Sequence, residues 1–414
     1  MSTFSGFLDE IENVSVDRFT EANFRSRAFF LSHCHMDHMV GLNEINSLNQ
    51  SLPGPLYLSE ISKVIIQRRY PTITNLIALK TGETTPILFG ISICDSSVTK
   101  KTSVTAIPAG HCPGSVMFLF EQDNKKILYT GDFRLYRNDI ETMIALKKFH
   151  EKINLDCLYL DSTFLSLDYR NFPRQRDSVN TIIDLTENWL DAHPKNVVLL
   201  RPPANYGYEF LLVELSQYFK FKIHVAKSTY NDYLYIPEFD SYISSNPYYC
   251  GRIHLCSPDD GNTEWKSKTS TCLSKLDERH ICIIRPTAMK WKNLNEDEKH
   301  YEDVVGVANA FSVCYSNHSS YDEIKFLIQY LRPTTVKLNV LPNQICQRNE
   351  MYSILDDITK EYKVEQPQDV DMANEKLVNT KYNFLKMTSF TNKRSMSIAK
   401  DDISQLKIKR RRKF

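Results

Sequence analysis

A chain of 414 residues with 42% hydrophobic and 24% charged side chains is ordinary globular material, long enough for two or three domains. Lysine plus arginine (51) nearly balances aspartate plus glutamate (50), so bulk charge announces neither nucleic acid, membrane nor an acidic partner. No apolar run approaches the roughly 18 residues of a spanning helix, the start lacks a signal-peptide plan, and ten dispersed cysteines suit a reducing compartment.

Taken in order, short apolar runs recur, each ending in small or polar residues. They are Ala28–Leu31 before Ser32-His33, Lys126–Tyr129 before Thr130-Gly131-Asp132, Leu158–Leu160 before Asp161-Ser162-Thr163, and Val197–Leu200 before Arg201. These read as buried strands. Helical spacing is read over Val179–Leu190, Tyr208–Phe219 and Tyr321–Tyr330, and the alternation of the two predicts an α/β class. From about Gln366 the apolar pattern thins, and the chain closes on Lys407-Ile408-Lys409-Arg410-Arg411-Arg412-Lys413-Phe414, a polar tail expected to be disordered.

The most specific feature is His33-Cys34-His35-Met36-Asp37-His38, directly after a predicted strand. Imidazoles and a carboxylate at this density suit borderline metals, above all zinc. In an extended entry His33 and His35 point to one face and can grip one ion, while Asp37 and His38, after the chain turns, can face a second. His111 in Gly110-His111-Cys112-Pro113-Gly114 and Asp132 at a strand end supply further ligands, with Asp132 placed to bridge. The plainer reading is a run of surface or hydrogen-bonded core histidines; the combined order favours a dinuclear site. Two neighbouring ions acidify a shared water and clamp attacking and leaving oxygens, which suits phosphodiesters, amides or thioesters without choosing among them.

The order Asp17, His33, His35, Asp37, His38, His111, Asp132 resembles the motif series of the metallo-β-lactamase superfamily. Asp161, in Leu160-Asp161-Ser162-Thr163, and His318, in Ser316-Asn317-His318-Ser319-Ser320, resemble the first two motifs of its β-CASP branch, which cleaves nucleic acids. Val340 stands where the third motif is expected, and valine there marks the DNA-acting members of the branch. Further similarity to the end-joining nucleases of that branch lies in 16–19, 30–35, 108–120, 129–135, 206–209, 285–287 and 317–324, within a resemblance covering about residues 1–345.

The resemblance implies a metallo-β-lactamase αββα sandwich with an inserted β-CASP α/β domain. Its parts would be 1–155 and 319–364 for the sandwich, 156–318 for the insertion, and 365–414 for the tail. It implies zinc on His33, His35 and His111, a second ion (zinc, or magnesium or manganese) on Asp37 and His38, and Asp132 between them. His318 would lie near the second ion, Asp17 would orient a ligand imidazole, and Asp161 would support or handle a proton. The implied reaction leaves a 5′-phosphate and a 3′-hydroxyl at hairpins, overhangs and single-to-double-strand junctions, with 5′-exonuclease activity, in double-strand-break repair by non-homologous end joining in the nucleus. It further implies a DNA-end-binding kinase and a ligase as partners through a long tail, where here about fifty residues follow the apparent fold. The alternatives are a 5′-to-3′ exonuclease of crosslink repair, an RNA-processing endonuclease, which Val340 opposes, and a catalytically silent repair scaffold.

His224, His254, Cys256 and Cys272 form a closed set suited to a structural zinc, which the resemblance supports, beside the reading of ordinary buried side chains. Ser319, Ser320 and the following helix start are candidates to cradle a phosphate, with helix capping as the equal account. Arg25, Arg27, Arg285 and Lys292 are candidate phosphate partners, more commonly solvated charges. Tyr230, Tyr233, Tyr235 and Tyr242 suit core packing better than base stacking, and Cys34 and Cys112 read as packed small side chains. The last eight residues hold six basic side chains, leaving the rest at 45 against 50, a net of −5. A DNA-binding surface must therefore be local, and the basic end suits nuclear import or non-specific DNA contact.

Overall fold

The strand Val116–Gln122 shows why this chain folds in layers. Its residues are apolar almost without interruption because both of its faces are buried. Val116, Phe118 and Phe120 point into one core with Phe30, Tyr57 and Tyr129; Met117 and Leu119 point into another with Ile140, Ile324, Leu327 and Ile358. The period-two alternation of a strand puts successive side chains into separate cores.

The computed structural model describes residues 2–90, 99–150, 154–204, 206–234, 236, 239–256, 273, 276–295 and 299–364. They lie in one unit, Met1–Met372. The expected tail (365–414), Tyr235 and Cys272 lie outside the described residues.

Among the described residues the strands form three sheets. The first is parallel, in the order Val14–Val16, Ala28–Leu31, Leu56–Ser59, Leu76–Leu79. The second runs Thr335–Leu338, Cys157–Leu160, Lys125–Tyr129, Val116–Gln122, Thr99–Pro108, Thr84–Gly90; its first three strands are parallel and the rest antiparallel. Phe30 packs edge-on to Phe118 and Phe120 at 5.3 and 4.9 Å between ring centroids, which joins the two sheets face to face. Each such buried ring contributes about 1.5–3 kcal/mol. Helix Glu60–Arg69 covers the first sheet, and Arg137–Thr142, Ile144–His150, Tyr321–Leu331 and Ile345–Val364 cover the second. The result is the α/β, αββα sandwich expected.

The third sheet is inserted between Cys157–Leu160 and Thr335–Leu338, which pair directly with each other in the second. Its order is Ile243–Ser244, Lys222–Val225, Cys250–Leu255, Val197–Leu200, Ile281–Thr287, Ala310–Cys314, Tyr301–Asp303, parallel but for the last strand. Helices Gln175–Ala192 and Glu209–Phe219 pack on it. Among the described residues no helix is long and apolar enough to cross a membrane. Helix Ile345–Val364 was not read from the sequence; it buries Met351, Ile354, Leu355, Ile358 and Tyr362 along one stripe, and Tyr362 donates to the Pro333 carbonyl at 2.7 Å.

Candidate metal centre

The candidate ligands come from loops that leave the ends of strands. Asp17 follows Val14–Val16, His33 follows Ala28–Leu31, Asp132 follows Lys125–Tyr129, Asp161 follows Cys157–Leu160, and His318 follows Ala310–Cys314. The carboxyl ends of parallel strands are where α/β folds leave a crevice, so loops from all three sheets meet there. Gly131 holds a left-handed φ of 54°, and a Cβ on it would stand 2.7 Å from Ser32 Cβ. Only glycine lets the Asp132 loop come that close to the His33 loop.

Three imidazoles converge. His35 Nδ1 lies 3.0 Å from His33 Nε2 and 3.0 Å from His111 Nε2, while Asp132 Oδ2 lies 3.5 and 3.6 Å from the latter two. Ligands held 2.0–2.1 Å from a tetrahedral zinc stand about 3.3 Å apart, so the spacing fits such an ion. The other oxygen of Asp132 lies 3.1 Å from the buried His38 Nε2. Asp37 Oδ2 is 3.9 Å from that same nitrogen, and His318 Nε2 is 3.9 Å from Asp132 Oδ2. Asp132 thus faces two ligand groups, one with each oxygen.

The outward nitrogen of each imidazole is held, which fixes its tautomer. His33 Nδ1 donates to Ser32 Oγ (3.0 Å), and Ser32 Oγ donates in turn to Asp17 Oδ2 (2.5 Å). His38 Nδ1 donates to the same carboxylate at 2.8 Å. His111 Nδ1 donates to the Asn317 carbonyl (2.9 Å), His35 Nε2 to the Tyr206 carbonyl (3.3 Å), and His318 Nδ1 to Asp161 (2.8 Å). Burial, with the neighbouring imidazoles, holds His33 and His111 well below the ordinary histidine range, so both keep a lone pair for a cation. Burial likewise lowers His35. Against burial, Asp132 and Asp17 raise His38, and Asp161 and Asp132 raise His318 to about 9. Burial opposes ionisation of Asp132, yet His38 and His318 hold its carboxyl well below the usual range. Such mutually shifted imidazoles and carboxylates in one cleft are the kind of cluster found at functional sites.

The ligand group opens on a cleft of about 770 Å³ lined by His35, Asp37, Asp132, His318, Arg69 and Tyr206, among others, with Val340 at its edge. Asp37 is partly exposed there and accepts from the Ser2 amide at 3.0 Å. Val340 bonds through its amide and carbonyl to the Ser162 hydroxyl, beside Asp161.

His224 and His254 form a second group. They stand opposite each other on adjacent parallel strands, with Nδ1 atoms 3.3 Å apart and Cys256 Sγ 3.7 Å from His254 Nδ1. Ser320 caps helix Tyr321–Leu331 reciprocally with Glu323, and the buried Ser319 gives its amide to the Phe133 carbonyl. The structure thus gives Ser320 the helix-capping role, and Ser319 is tied by its backbone to the Phe133 loop. Arg25 lies over the Phe7 ring, Arg27 donates to the Phe24 and Ser26 carbonyls, Lys292 pairs with Asp168, and Arg285 sits in a strand opposite Ser312. Tyr233 is buried with its hydroxyl on Glu209, and Tyr242 accepts from Gln217. Burial pushes the Cys34 thiol up to about 12 and Cys112 well above its usual range, which keeps both protonated.

Residue-type patterns did not point to Ser32, Tyr129, or the carbonyls of Tyr206 and Asn317. Tyr129 donates to Asp17 at 2.9 Å, which completes the holding of that carboxylate. Buried Arg134 was missed too; it donates to the carbonyls of Ser316 and Pro173 and anchors the His318 loop. Only a charged residue inside the apolar stretch Phe133–Leu135 signalled it.

Residues 237–344 match the family described as DNA repair metallo-beta-lactamase. The chain is 36% identical over 355 residues to Protein artemis of Gallus gallus, covering 83% of this chain and 48% of that protein. It is 33% identical over 353 residues to Protein artemis of Homo sapiens, with 83% and 50% covered. It is 28% identical over 318 residues to DNA cross-link repair 1A protein of Homo sapiens, with 75% and 28% covered. The chain thus spans about half the length of the artemis proteins it matches.

Proposed function

For a chain that belongs to the metallo-β-lactamase and β-CASP family and is Artemis-like within it, we propose metal-dependent hydrolysis of DNA phosphodiesters. The action proposed is endonucleolytic, opening hairpins and trimming overhangs and junctions in non-homologous end joining, with 5′-exonuclease activity besides. The observation that carries it is the position of Asp132, one oxygen toward His33 and His111 and the other toward His38. His33, His35 and His111 would hold one zinc, Asp37 and His38 a second zinc, magnesium or manganese, and Asp132 both. Bound divalent ions supply Lewis acidity toward a phosphoryl oxygen and acidify water. Asp17 orients His33 and His38 from behind. His318, held by Asp161, lines the cleft, where it would help hold the second ion or donate to the scissile phosphate. We assign residues 1–155 and 319–364 to the sandwich and 156–318 to the β-CASP insertion. A nuclear location follows from this reading, and a DNA-end-binding kinase and a ligase are its proposed partners.

The test offers purified protein end-labelled hairpin DNA, 5′-phosphorylated single strands and matched RNA. Wild type is expected to cleave the hairpin DNA and to spare the RNA. Asp37→Asn lowers the rate by more than about tenfold, the least expected when even an outer partner of a metal ligand matters that much. Progressive mononucleotide release without hairpin opening would instead establish the second reading, a crosslink-repair exonuclease; the chain is also similar to DNA cross-link repair 1A protein.

We also propose a structural zinc on His224, His254 and Cys256, with Cys272, outside the described residues, as the fourth ligand. His224 Nε2 donates to the Ser245 carbonyl, which leaves Nδ1 facing His254. Cys256→Ser is expected to cost about 4 kcal/mol of stability, the scale of losing a structural metal. Denaturant melts read it: chelation should lower wild type by more than the variant, the difference being the share of the structural ion, and bring the two to the same level.

A further inference from the structure

The two sides of the ligand group are held differently. Asp17, from the first sheet, holds His33 (through Ser32) and His38. His35 and His111 are held instead by backbone carbonyls of the inserted segment, at Tyr206 and Asn317. These carbonyls belong to touching loops: Gly207 has φ +98°, and a Cβ there would stand 2.4 Å from Asn317 Nδ2.

A carbonyl holds a tautomer only where its own loop is fixed, and two side chains fix the Tyr206 loop. Buried Glu209 accepts from the Gly207 amide at 2.9 and 3.1 Å, and Tyr233 donates to it at 2.6 Å. From the sandwich, Arg69 at the end of helix Glu60–Arg69 donates to the Tyr206 hydroxyl at 3.0 Å. The same guanidinium grips Asp232, Nη2 to Oδ2 at 2.6 Å and Nε to Oδ1 at 3.3 Å. A two-point arginine–carboxylate pair fixes direction as well as distance.

We infer that Arg69 and Glu209 are positioning residues of the metal centre. They hold the Tyr206 carbonyl against His35, so that the first metal position depends on a contact between sandwich and insertion. The inference rests on the reading of His35 as a ligand. It makes metal affinity, not only turnover, sensitive to residues that touch no ion.

The experiment titrates full-length protein with Co²⁺ against a chelator and reads the visible ligand-field bands that remain once those rising together with the thiolate band are subtracted. Near-ultraviolet thiolate–cobalt absorption reports the Cys256 group separately as an internal control. Arg69→Met and Glu209→Ala should each weaken the visible-band site by about 10–100-fold, as loss of an outer partner of a metal ligand does. The thiolate band should stay as in wild type, and the metal-free melting temperature should fall only by the few degrees that the unpaired partners of the lost side chain cost. Glu209→Gln keeps an acceptor for the Gly207 amide and should recover most of the affinity, while Arg137→Met, at an exposed pair with Glu141, should change nothing. Unchanged visible bands and affinity in Arg69→Met and Glu209→Ala, with His35→Ala abolishing them, would overturn the inference alone. Parallel loss of both bands with a lower metal-free melting temperature would also overturn it, as a merely structural role. If His35→Ala too leaves the visible bands intact, the ligand reading itself falls.

Discussion

Asp132→Asn is expected to lower DNA hydrolysis by about 10³–10⁴-fold, roughly 4–5.5 kcal/mol of transition-state stabilisation. The size follows from the carboxylate serving both ligand groups. Oδ2 faces His33 and His111 at 3.5 and 3.6 Å, and Oδ1 faces His38 at 3.1 Å. An amide has the same shape but one acceptor, so either orientation turns N–H bonds toward one metal position. It also removes the negative charge that the buried imidazoles of His38 and His318 surround. Single-turnover cleavage of end-labelled hairpin DNA at saturating metal measures the effect, and metal analysis should show about one ion fewer bound. A rate within tenfold of wild type would remove the bridging role.

Much of this site was legible because its signals are local. A strand segment buried on both faces must be apolar, and it must stop where polar ligands begin, so Ala28–Leu31 announces His33 as the buried end Ile127–Tyr129 announces Asp132. Spacing inside His33–His38 is a matter of neighbours. What stayed hidden is either backbone or distant. The Tyr206 and Asn317 carbonyls carry no residue-type mark, since any residue supplies a carbonyl. Arg69 and Asp232 lie 163 positions apart, and nothing local in either says that they meet. Helix Ile345–Val364 escaped for another reason: its apolar stripe is interleaved with Glu350, Asp356, Asp357, Lys360 and Glu361, so a reading for apolar runs passes over it. Ser320 illustrates the reverse case, where one pattern serves two physical purposes and only the hydrogen bond to Glu323 shows the helix cap.

Asp17→Asn should leave the fold intact and still lower activity by about 10²–10⁴-fold, two imidazoles each losing the partner that sets them. The backbone is not the reason. Asp17 sits at φ +54°, a left-handed conformation that asparagine tolerates as well as aspartate does. The carboxylate accepts from the Ser32 amide at 2.7 Å on Oδ1, and from Ser32 Oγ, His38 Nδ1 and Tyr129 Oη on Oδ2. An asparagine that keeps the first bond places its NH₂ among the other three donors. Serine and tyrosine hydroxyls can rotate to accept from it; an imidazole must change tautomer to do so. His38 would then carry its proton on Nε2, the nitrogen 3.1 Å from Asp132, and have no lone pair to offer there. The same substitution behind a catalytic histidine elsewhere costs about 10⁴ in rate through the wrong tautomer. Asp17→Ala would blur the result by opening a buried polar hole at a strained position. Melting temperature, metal content and single-turnover rate together read the effect. A stable Asp17→Asn protein that binds both ions and cleaves at wild-type rate would mean that His38 is oriented by something other than this carboxylate.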